Sequence, residues 1–377
     1  MTKKGFISTA IIYSFFTFIL LSLSIYLVNI KETNVLKQEE VKKIKEDLNN
    51  LGTLKGLARL ILSHNGGKKE VSVKNIPDFT LIADTNEGLF QTQDDYGTSY
   101  YFRGTVDNNW VKFGKIGNND IWWRVVRIHG NGSVKLIYNG IVSPTENEKI
   151  KSARVNTHIG NSFFNTHKET EPLIPGGIVP DFASAPEQIG YMYEFGEHRG
   201  YEIHSDIKEY LDAWYEDNLI SYNDYLHDFI ICNDRNFLIA DIVPISGADS
   251  FVSSDAYLRL INGQPSLVCD NKDDAFTVND TERGNGLLDY PIGLLTADEL
   301  VVAGATTNKN NNEFYLYSGG YFWTMTPPST QNMLFYLNQV IGTDVSGKND
   351  VRPVITLKPN IEAEGNGKWN DPYIVIE

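Results

Sequence analysis

The chain has 377 residues, of which 41% are hydrophobic and 21% charged, so it can form a sizeable packed core and is not generally disordered. Its formal net charge of −15 repels phosphate groups, which argues against binding nucleic acid or docking on anionic lipid. The 20 Tyr, 19 Phe and 31 Gly favour a loop-rich domain with short strands over a helix bundle.

The first apolar segment, residues 6–30, contains no charged side chain. It exceeds the about 20 residues that cross a bilayer as a helix, and it is longer than the apolar part of a usual signal peptide, which is the cleaved alternative. We therefore expect a cytoplasmic stub over residues 1–5 and a single transmembrane helix over residues 6–30. Lysines on both sides leave the orientation open, but the acidic, Tyr-rich body and its cysteine pair favour an extracytoplasmic C-terminal domain at the cell membrane.

The start of this segment has a second interpretation. Gly5 and Phe6 resemble the site at which type IV prepilins are cleaved, between a glycine and an aromatic residue. The first helix of pilins continues onto a globular head, and apolar residues at helical spacing in residues 41–51 fit such a helix. The family has a glutamate at the fifth residue after the cut, where this chain has Ala10. A minor pilin-like subunit with pilin-like partners is thus the alternative function.

The rest of the chain divides into two regions. Residues 31–78 predict a helical stalk and linker with a hinge at residues 65–69, Asn-Gly-Gly-Lys-Lys. Residues 79–377 have the texture of many short strands and form the expected extracytoplasmic domain. Within it, apolar runs at residues 122–128 and 134–138 flank a Gly-Asn-Gly turn, which predicts a β-hairpin.

Two helices are predicted inside this domain. Asp206 and Glu209 fit a capping box. Apolar residues then recur at helical spacing, namely Ile207, Tyr210, Leu211, Trp214 and Tyr215. A second box is formed by Thr296 and Glu299, and that helix should end at Gly304 as its C-cap.

The last third of the chain returns to strands. We expect them at residues 314–317, 320–326 and 352–358, and Pro353 indicates that the last one is an edge strand or contains a bulge. Two helices among many short strands predict the α+β fold class.

Four segments occur in an order that carries a resemblance. They are residues 122–126 (WWRVV), 206–211 (DIKEYL), 320–327 (GYFWTMTP) and 351–355 (VRPVI), with Asp234-Arg235 and residues 293–299 as further matches. They resemble uncharacterised bacterial surface proteins of DUF6273-like type, over residues 90–377. That domain is similar to the C-type-lectin-like and formylglycine-generating-enzyme-like architecture, in which an aromatic strand precedes a closing strand that pairs back to the start.

The resemblance implies a fold and brings no established activity. The expected architecture is therefore α+β, with an N-terminal transmembrane helix followed by a C-type-lectin-like mixed domain of many short strands and a few helices.

The chain contains two cysteines, Cys232 and Cys269, too few for a four-ligand zinc site of their own. Outside the cytoplasm we expect a disulfide, which would stabilise the fold by about 4 kcal/mol in the chain-entropy model. In the cytosol they would be two buried thiols. Formylglycine-generating enzymes carry a close cysteine pair near the end of the domain, whereas Cys269 lies well before the strand of Trp323, so that activity is not expected.

Other catalytic and metal motifs are incomplete. The sequence has no Gly-x-Ser-x-Gly elbow. Glu197-His198 and residues 202–204 (Glu-Ile-His) match neither a helical ligand pair nor a standard zinc spacing. The acidic loop at residues 270–274 lacks the central glycine and terminal glutamate of an EF-hand. We predict that the protein is not an enzyme and holds no metal or cofactor.

Residues 369–371 spell Trp-Asn-Asp, a triplet that helps C-type lectins bind calcium and sugar. Those lectins join it to an upstream Glu-Pro-Asn or Gln-Pro-Asp, but here Glu171-Pro172 and Gln264-Pro265 each lack the third ligand. Calcium needs about 6 to 8 oxygen ligands, which this incomplete motif does not supply. We interpret Asn370 and Asp371 as turn residues ahead of Pro372.

Binding without calcium depends on aromatic and polar side chains. Trp122 and Trp123 are adjacent on a strand, so alternation turns one of them outward, and aromatic faces suit the C–H surfaces of sugars. The polar loop at residues 306–313 (TTNKNNNE) precedes the aromatic strand and suits recognition. The predicted ligand contacts are Trp123, Asn308, Asn310, Asn312 and Trp323.

The predicted function follows from these observations. We expect a membrane-anchored, extracytoplasmic and non-catalytic binding or adhesion module, whose partner besides the membrane is a glycan or a surface protein. Nucleic acid is not an expected partner.

Overall fold

The structure is a computed structural model that describes residues 54–72, 74–166, 190–194, 199–236, 254–327, 333–336, 339–342 and 345–376. Leu54–Glu377 form one compact unit. The predicted transmembrane helix at residues 6–30, the prepilin-like pair Gly5 and Phe6, and the stalk up to residue 53 lie outside the described residues.

The described residues contain five short α-helices and many short strands. The helices are α1 Gly56–His64, α2 Gly67–Ser72, α3 Asp206–Asn218, α4 Asp255–Ile261 and α5 Ala297–Ala303. The strands are β1 Asn86–Asp94, β2 Gly97–Gly104, β3 Trp110–Ile116, β4 Asn119–Ile128, β5 Val134–Tyr138, β6 Asn161–Ser162, β7 Met192–Tyr193, β8 Ile203–His204, β9 Ile231–Cys232, β10 Ala275–Phe276, β11 Phe322–Trp323, β12 Met333–Tyr336, β13 Gln339–Gly342, β14 Asn349–Asp350, β15 Val354–Leu357, β16 Ala363–Glu364 and β17 Tyr373–Val375.

The predicted fold class, an α+β domain behind a transmembrane helix, is wrong. Across the described ranges the longest α-helix, α3, has 13 residues, and none is long and apolar enough to cross a membrane. What the structure has is a mixed α/β domain with many strands and few helices.

An eight-stranded sheet forms the centre of the domain. Its order is β1-β2-β4-β3-β17-β16, and β5 and β15 branch from β4. Strand β4 makes this branch because it pairs with β3 and then β2 along one edge and with β5 along the other. A second sheet has the order β13-β12-β11-β14-β6, and the pairs β9–β10 and β7–β8 stand apart from both.

The predicted hairpin is confirmed, since β4 and β5 pair antiparallel around a turn in which Gly132 has a φ of +85°. All residues of β4 from Ile121 onward are buried. Trp122 and Trp123 are therefore both inside, and the expectation that one faces outward is wrong. A strand covered on both faces gives a continuous apolar run instead of alternation.

The two predicted helices are present. Helix α3 is capped by Ser205, whose hydroxyl accepts from the backbone N–H of Lys208, and not by the predicted box at Asp206. Helix α5 has the predicted capping box between Thr296 and Glu299 and ends at Gly304, which has a φ of +132°.

The predicted strands of the last third are shorter or missing. Residues 314–317 form a turn and not a strand. Phe314, Tyr315 and Leu316 are buried in the core, which accounts for the apolar run in the sequence. Of residues 320–326 only β11 is a strand. The closing strand β15 follows Pro353 and pairs with β5, not with the first strand as the resemblance implies.

The domain begins before the predicted boundary at residue 79. Leu57, Ala58 and Ile61 of α1 are buried, and the backbone N–H of Leu57 donates to the carbonyl of Ile361 at 2.7 Å. Residues 54–72, predicted as stalk and linker, thus belong to the compact unit.

Buried arginines hold the loops of this domain. Arg352 is 1% exposed and donates to the carbonyls of Thr157 (3.0 Å), Leu316 (2.7 Å) and Tyr138 (3.4 Å). Three fully buried loops or strand ends are therefore joined by one side chain. Arg103, Arg124 and Arg235 make similar contacts with distant carbonyls.

Replacing Arg352 should test this role. We expect Arg352→Lys to lower the free energy of unfolding by about 2 to 4 kcal/mol, because an ammonium group cannot reach all three carbonyls and leaves buried acceptors unpaired. Urea denaturation measures the change. The control Arg283→Lys, at a side chain that is 47% exposed, should stay within about 0.5 kcal/mol of the wild type. Equal, small effects of both substitutions would contradict the role of Arg352.

Candidate functional site

A cleft lies beside the disulfide between Cys232 and Cys269. Its walls carry charged side chains from several elements, namely Arg127, Lys135, Asp234, Arg259, Asp298 and Glu299. Its open interior of about 20 Å³ has room for about one water molecule.

The inner part of the cleft is a closed network of charges. Glu299, at the start of α5, accepts from Lys135 (2.7 and 2.8 Å) and from Arg127 (3.1 Å). Arg127 also donates to Asp94 (2.9 Å), which makes a 3.0 Å hydrogen bond with His129. Two cations thus face two carboxylates, and each charge already has an opposite partner.

The protonation states follow from burial. Burial lowers the pKa of His129 to about 4, so His129 is neutral at pH 7 in spite of the neighbouring Asp94. Burial also lowers the pKa of Lys135 to about 8, against the attraction of Glu299. At neutral pH the inner network therefore holds balanced charge and offers little attraction to a further ion.

The outer part of the cleft has an excess of carboxylates. Arg259 donates to both Asp234 (2.6 Å) and Asp298 (3.1 Å). Burial raises the pKa of Asp298 to about 6, and it raises that of Asp95 to about 6 as well. Each of these two carboxylates accepts a backbone N–H from the loop over the cleft, Ser266 in one case and Cys269 in the other.

The predicted disulfide is confirmed: Cys232 of β9 is bonded to Cys269 of the same loop. It closes a chain segment with a sequence separation of 37. In the chain-entropy model such a closure stabilises the fold by about 4 kcal/mol.

Two of the predicted ligand contacts lie inside the protein. Trp123 and Trp323 are both 0% exposed, and their indole N–H groups donate to the carbonyls of Phe113 and Ser162 at 2.8 Å. Neither ring has a face at the surface for a sugar. The prediction for these two residues is corrected, because both serve the core of their sheets.

The three asparagines that we predicted as ligand contacts lie at the surface. Asn308, Asn310 and Asn312 are all exposed. Between them, Asn311 is buried and donates to the carbonyls of Ala83 (2.9 Å) and Gly304 (2.8 Å). The loop at residues 306–313, which we call the asparagine loop, is thus anchored in the middle and presents polar side chains on both sides of the anchor.

Further contacts hold the end of the asparagine loop. Lys151 donates to the carbonyl of Asn312 (2.7 Å) and pairs with Glu313 (3.0 Å). Its ammonium group also lies 5.5 Å from the ring centre of Tyr317. Sequence reasoning missed Asn311 and Lys151. No local signal separates Asn311 from its neighbours, and Lys151 is distant in sequence.

One group of side chains could be taken for a metal site. The ligand atoms of His204, Asp212 and Asp289 lie within 4.8 Å of one another. The buried ammonium of Lys208, however, donates to Asp212 (2.6 Å) and Asp289 (2.7 Å). A cation of the protein itself therefore occupies this cluster. Of the two polar segments singled out in the sequence, residues 202–204 contribute His204 to this cluster, and Glu197-His198 lies outside the described residues.

The Trp-Asn-Asp triplet lies in a turn, as interpreted from the sequence. The backbone N–H of Asp371 donates to the carbonyl of Lys368 at 3.0 Å, and Asn370 and Asp371 are both exposed. Asn370 and Asp371 therefore act as turn residues that lead into β17.

No family model, no curated protein and no solved structure matches the chain. The similarity to bacterial surface proteins of DUF6273-like type thus stays a prediction. Function has to be argued from the geometry of the described residues.

The pH dependence of stability tests the burial of Asp95. Its pKa of about 6 exceeds the value of 3.8 expected in the unfolded chain, so its contribution to stability is complete below about pH 4 and is lost as pH rises through 6. Asp95→Asn keeps an acceptor for Cys269 without the charge. Between pH 4 and pH 7.5 we expect the free energy of unfolding of the variant to rise by about 1 to 2 kcal/mol relative to that of the wild type. This is less than the full pKa shift of Asp95 would give, because solvent screens a half-buried group.

Urea unfolding at several pH values measures this difference. Asp217→Asn is the control, because its side chain is exposed on α3 and its replacement should not reproduce this gain. A pH-independent difference for Asp95→Asn would show that its carboxylate is not destabilised by burial.

Proposed function

We propose that the domain is an extracytoplasmic, non-catalytic binding module that contacts its ligand, a glycan or a surface protein, through the asparagine loop. The observation that carries the proposal is the anchor at Asn311, because it fixes a loop whose neighbouring side chains are exposed. A loop that is already ordered loses little conformational entropy when it binds.

The chemistry of the loop suits a ligand rich in hydroxyl groups. Each asparagine amide offers two donors and a carbonyl acceptor, so Asn308 and Asn310 can each bridge neighbouring hydroxyls. Tyr317 is half-buried, and its ring centre lies 5.5 Å from the ammonium of Lys151, which also donates to the carbonyl of Asn312 at the end of the loop. Surfaces that combine tyrosine with asparagine are common in binding loops, where rigid rings and adaptable polar groups act together.

The net charge narrows the ligand class. A formal charge of −15 repels anionic polymers at long range. The asparagine loop itself carries one positive residue, Lys309, and one negative residue, Glu313, so its formal net charge is zero. We therefore favour an uncharged glycan over an acidic one.

Two further observations support the proposal. Disulfides persist in oxidising compartments, and the Cys232–Cys269 bond fits a location outside the cytoplasm. The cleft beside this bond is a poorer binding site than the asparagine loop, because its interior holds only about one water molecule. The pilin-like alternative depends on Gly5 and Phe6, and no observation on the described residues favours it.

A triple substitution tests the proposed surface. The full-length chain should bind uncharged glycans on an array or isolated bacterial cell walls, with or without calcium. Asn308→Ala/Asn310→Ala/Asn312→Ala should weaken this binding at least about tenfold, because each lost hydrogen bond contributes about 0.5 to 1.5 kcal/mol.

The matched control replaces exposed asparagines elsewhere on the domain. Asn118→Ala/Asn370→Ala removes one residue of the β3–β4 turn and one of the Trp-Asn-Asp triplet, and it should leave binding unchanged. The proposal fails if the triple variant binds as well as the wild type, or if the control variant loses binding to the same extent.

The anchor can be tested separately from the contact residues. Asn311→Ala keeps the three exposed asparagines but leaves the carbonyl of Ala83 without its side-chain donor, so we expect a loss of about 1 to 2 kcal/mol in the free energy of unfolding. Binding should also weaken, because the loop must then be ordered by the ligand. Thermal denaturation and the same binding assay measure both effects. Unchanged binding by a destabilised variant would show that the anchor does not preorganise a binding surface.

A further inference from the structure

A short segment covers the charged cleft. Residues 265–270, here called the strap, connect α4 to the turn before β10, and they contain no helix and no strand. Both ends are fixed independently. Before the strap, the N–H of Gln264 donates to the carbonyl of Arg259 at 2.8 Å. After it, Asp274 pairs with Arg235 at 2.7 Å and Lys272 donates to the carbonyl of Thr281 at 2.7 Å.

The middle of the strap is held by few contacts. The N–H of Ser266 donates to Asp298 at 2.8 Å, and the N–H of Cys269 donates to Asp95 at 3.0 Å. Leu267 is buried and forms a single bridge with Asp94. These contacts are local hydrogen bonds and one side chain, so the covalent bond to Cys232 is the strongest tether of the strap.

The tether lies at the edge of the core. Cys232 and Cys269 are both half-buried residues, and Cys232 lines the cleft itself. Reduction requires attack of a thiolate on one sulfur, and an accessible disulfide is more susceptible to it than a core disulfide.

The side chains beneath the strap are charged. Asp298 and Arg259 lie directly under Ser266, and the pair of Glu299 and Arg127 lies deeper in the same cleft. With the strap closed, the cleft admits about one water molecule. Opening the strap would let water and small ions reach these ion pairs.

We propose that the strap is a redox-controlled cover of the charged cleft. A dithiol reductant breaks the Cys232–Cys269 bond, taking up the sulfur–sulfur linkage as its own disulfide and leaving two cysteine thiols on this chain. The strap then opens between its two fixed ends and exposes the ion pairs of Asp298 and Glu299. This inference is independent of ligand binding at the asparagine loop.

The opening should stay local. Strand β9, which carries Cys232, also pairs with β10, so Cys232 stays in place when the disulfide is broken. The β4–β5 ladder has its own hydrogen bonds and contains none of the strap residues. Without such local opening, the strap amides would exchange only through unfolding of the whole domain, at the rate of the ladder amides.

Hydrogen exchange of the full-length chain, followed by mass spectrometry, distinguishes these cases. After addition of a reductant, the amides of Ser266 and Cys269 should exchange at least about tenfold faster, since their opening no longer needs a broken covalent bond. Amides of the β4–β5 ladder exchange only when the whole domain unfolds, so they should stay much more protected than the two strap amides. The variant Cys232→Ser/Cys269→Ser should show the fast exchange without reductant and no further change with it, because the chain has no other cysteine.

Two results would overturn the proposal. Unchanged exchange at Ser266 and Cys269 after verified reduction would show that the strap stays closed without the disulfide. Exchange at Ser266 and Cys269 that rises only to the rate of the β4–β5 amides would show that the strap opens with the whole domain and not by itself. If the double serine variant does not fold, chemical reduction of the folded wild-type chain gives the same comparison.

Discussion

The domain depends on buried guanidinium groups that bind main-chain carbonyls of its loops. A fold with so much irregular chain inside its core must pair the carbonyls that no helix or sheet pairs. Arg124 joins the carbonyls of Val106 and Ile150, which lie on either side of it in the sequence. Arg103 binds the last turn of α5 at Val301 and Val302, where helix carbonyls lack partners of their own. Five donors in a rigid plane let one side chain do this for several segments at once.

This constraint gives a physical role to three of the segments on which the predicted resemblance rests. Arg124 belongs to the WWRVV segment and Arg352 to VRPVI, and both are buried carbonyl binders. Glu299, at the end of the segment at residues 293–299, neutralises Lys135 and Arg127 in the core. Motifs of this kind specify how loops are held in place. They carry information about the fold, and they do not identify a ligand.

The sequence predicted those features whose signals are local. The β4–β5 hairpin follows from its glycine turn, and the ends of α5 follow from Thr296 and Gly304. The failures came from tertiary packing: Trp323 and residues Phe314 to Leu316 are apolar because they are buried in the core. For the candidate site, the exposed asparagines could be predicted from composition, but the anchor at Asn311 could not, because its partners lie elsewhere in the chain.

Helix α5 separates the two loops to which we assign roles. Its first turn holds the strap through Asp298, and the carbonyl of its C-cap, Gly304, accepts from the anchor of the asparagine loop. The helix itself is fixed by Arg103 at its last turn and by the ion pairs of Glu299, none of which includes a strap residue. Opening of the strap therefore removes the hydrogen bond between Ser266 and Asp298 from α5. The contacts of Arg103 and Glu299, which position Gly304, remain. For this reason a change of redox state should alter access to the charged cleft without moving the asparagine loop.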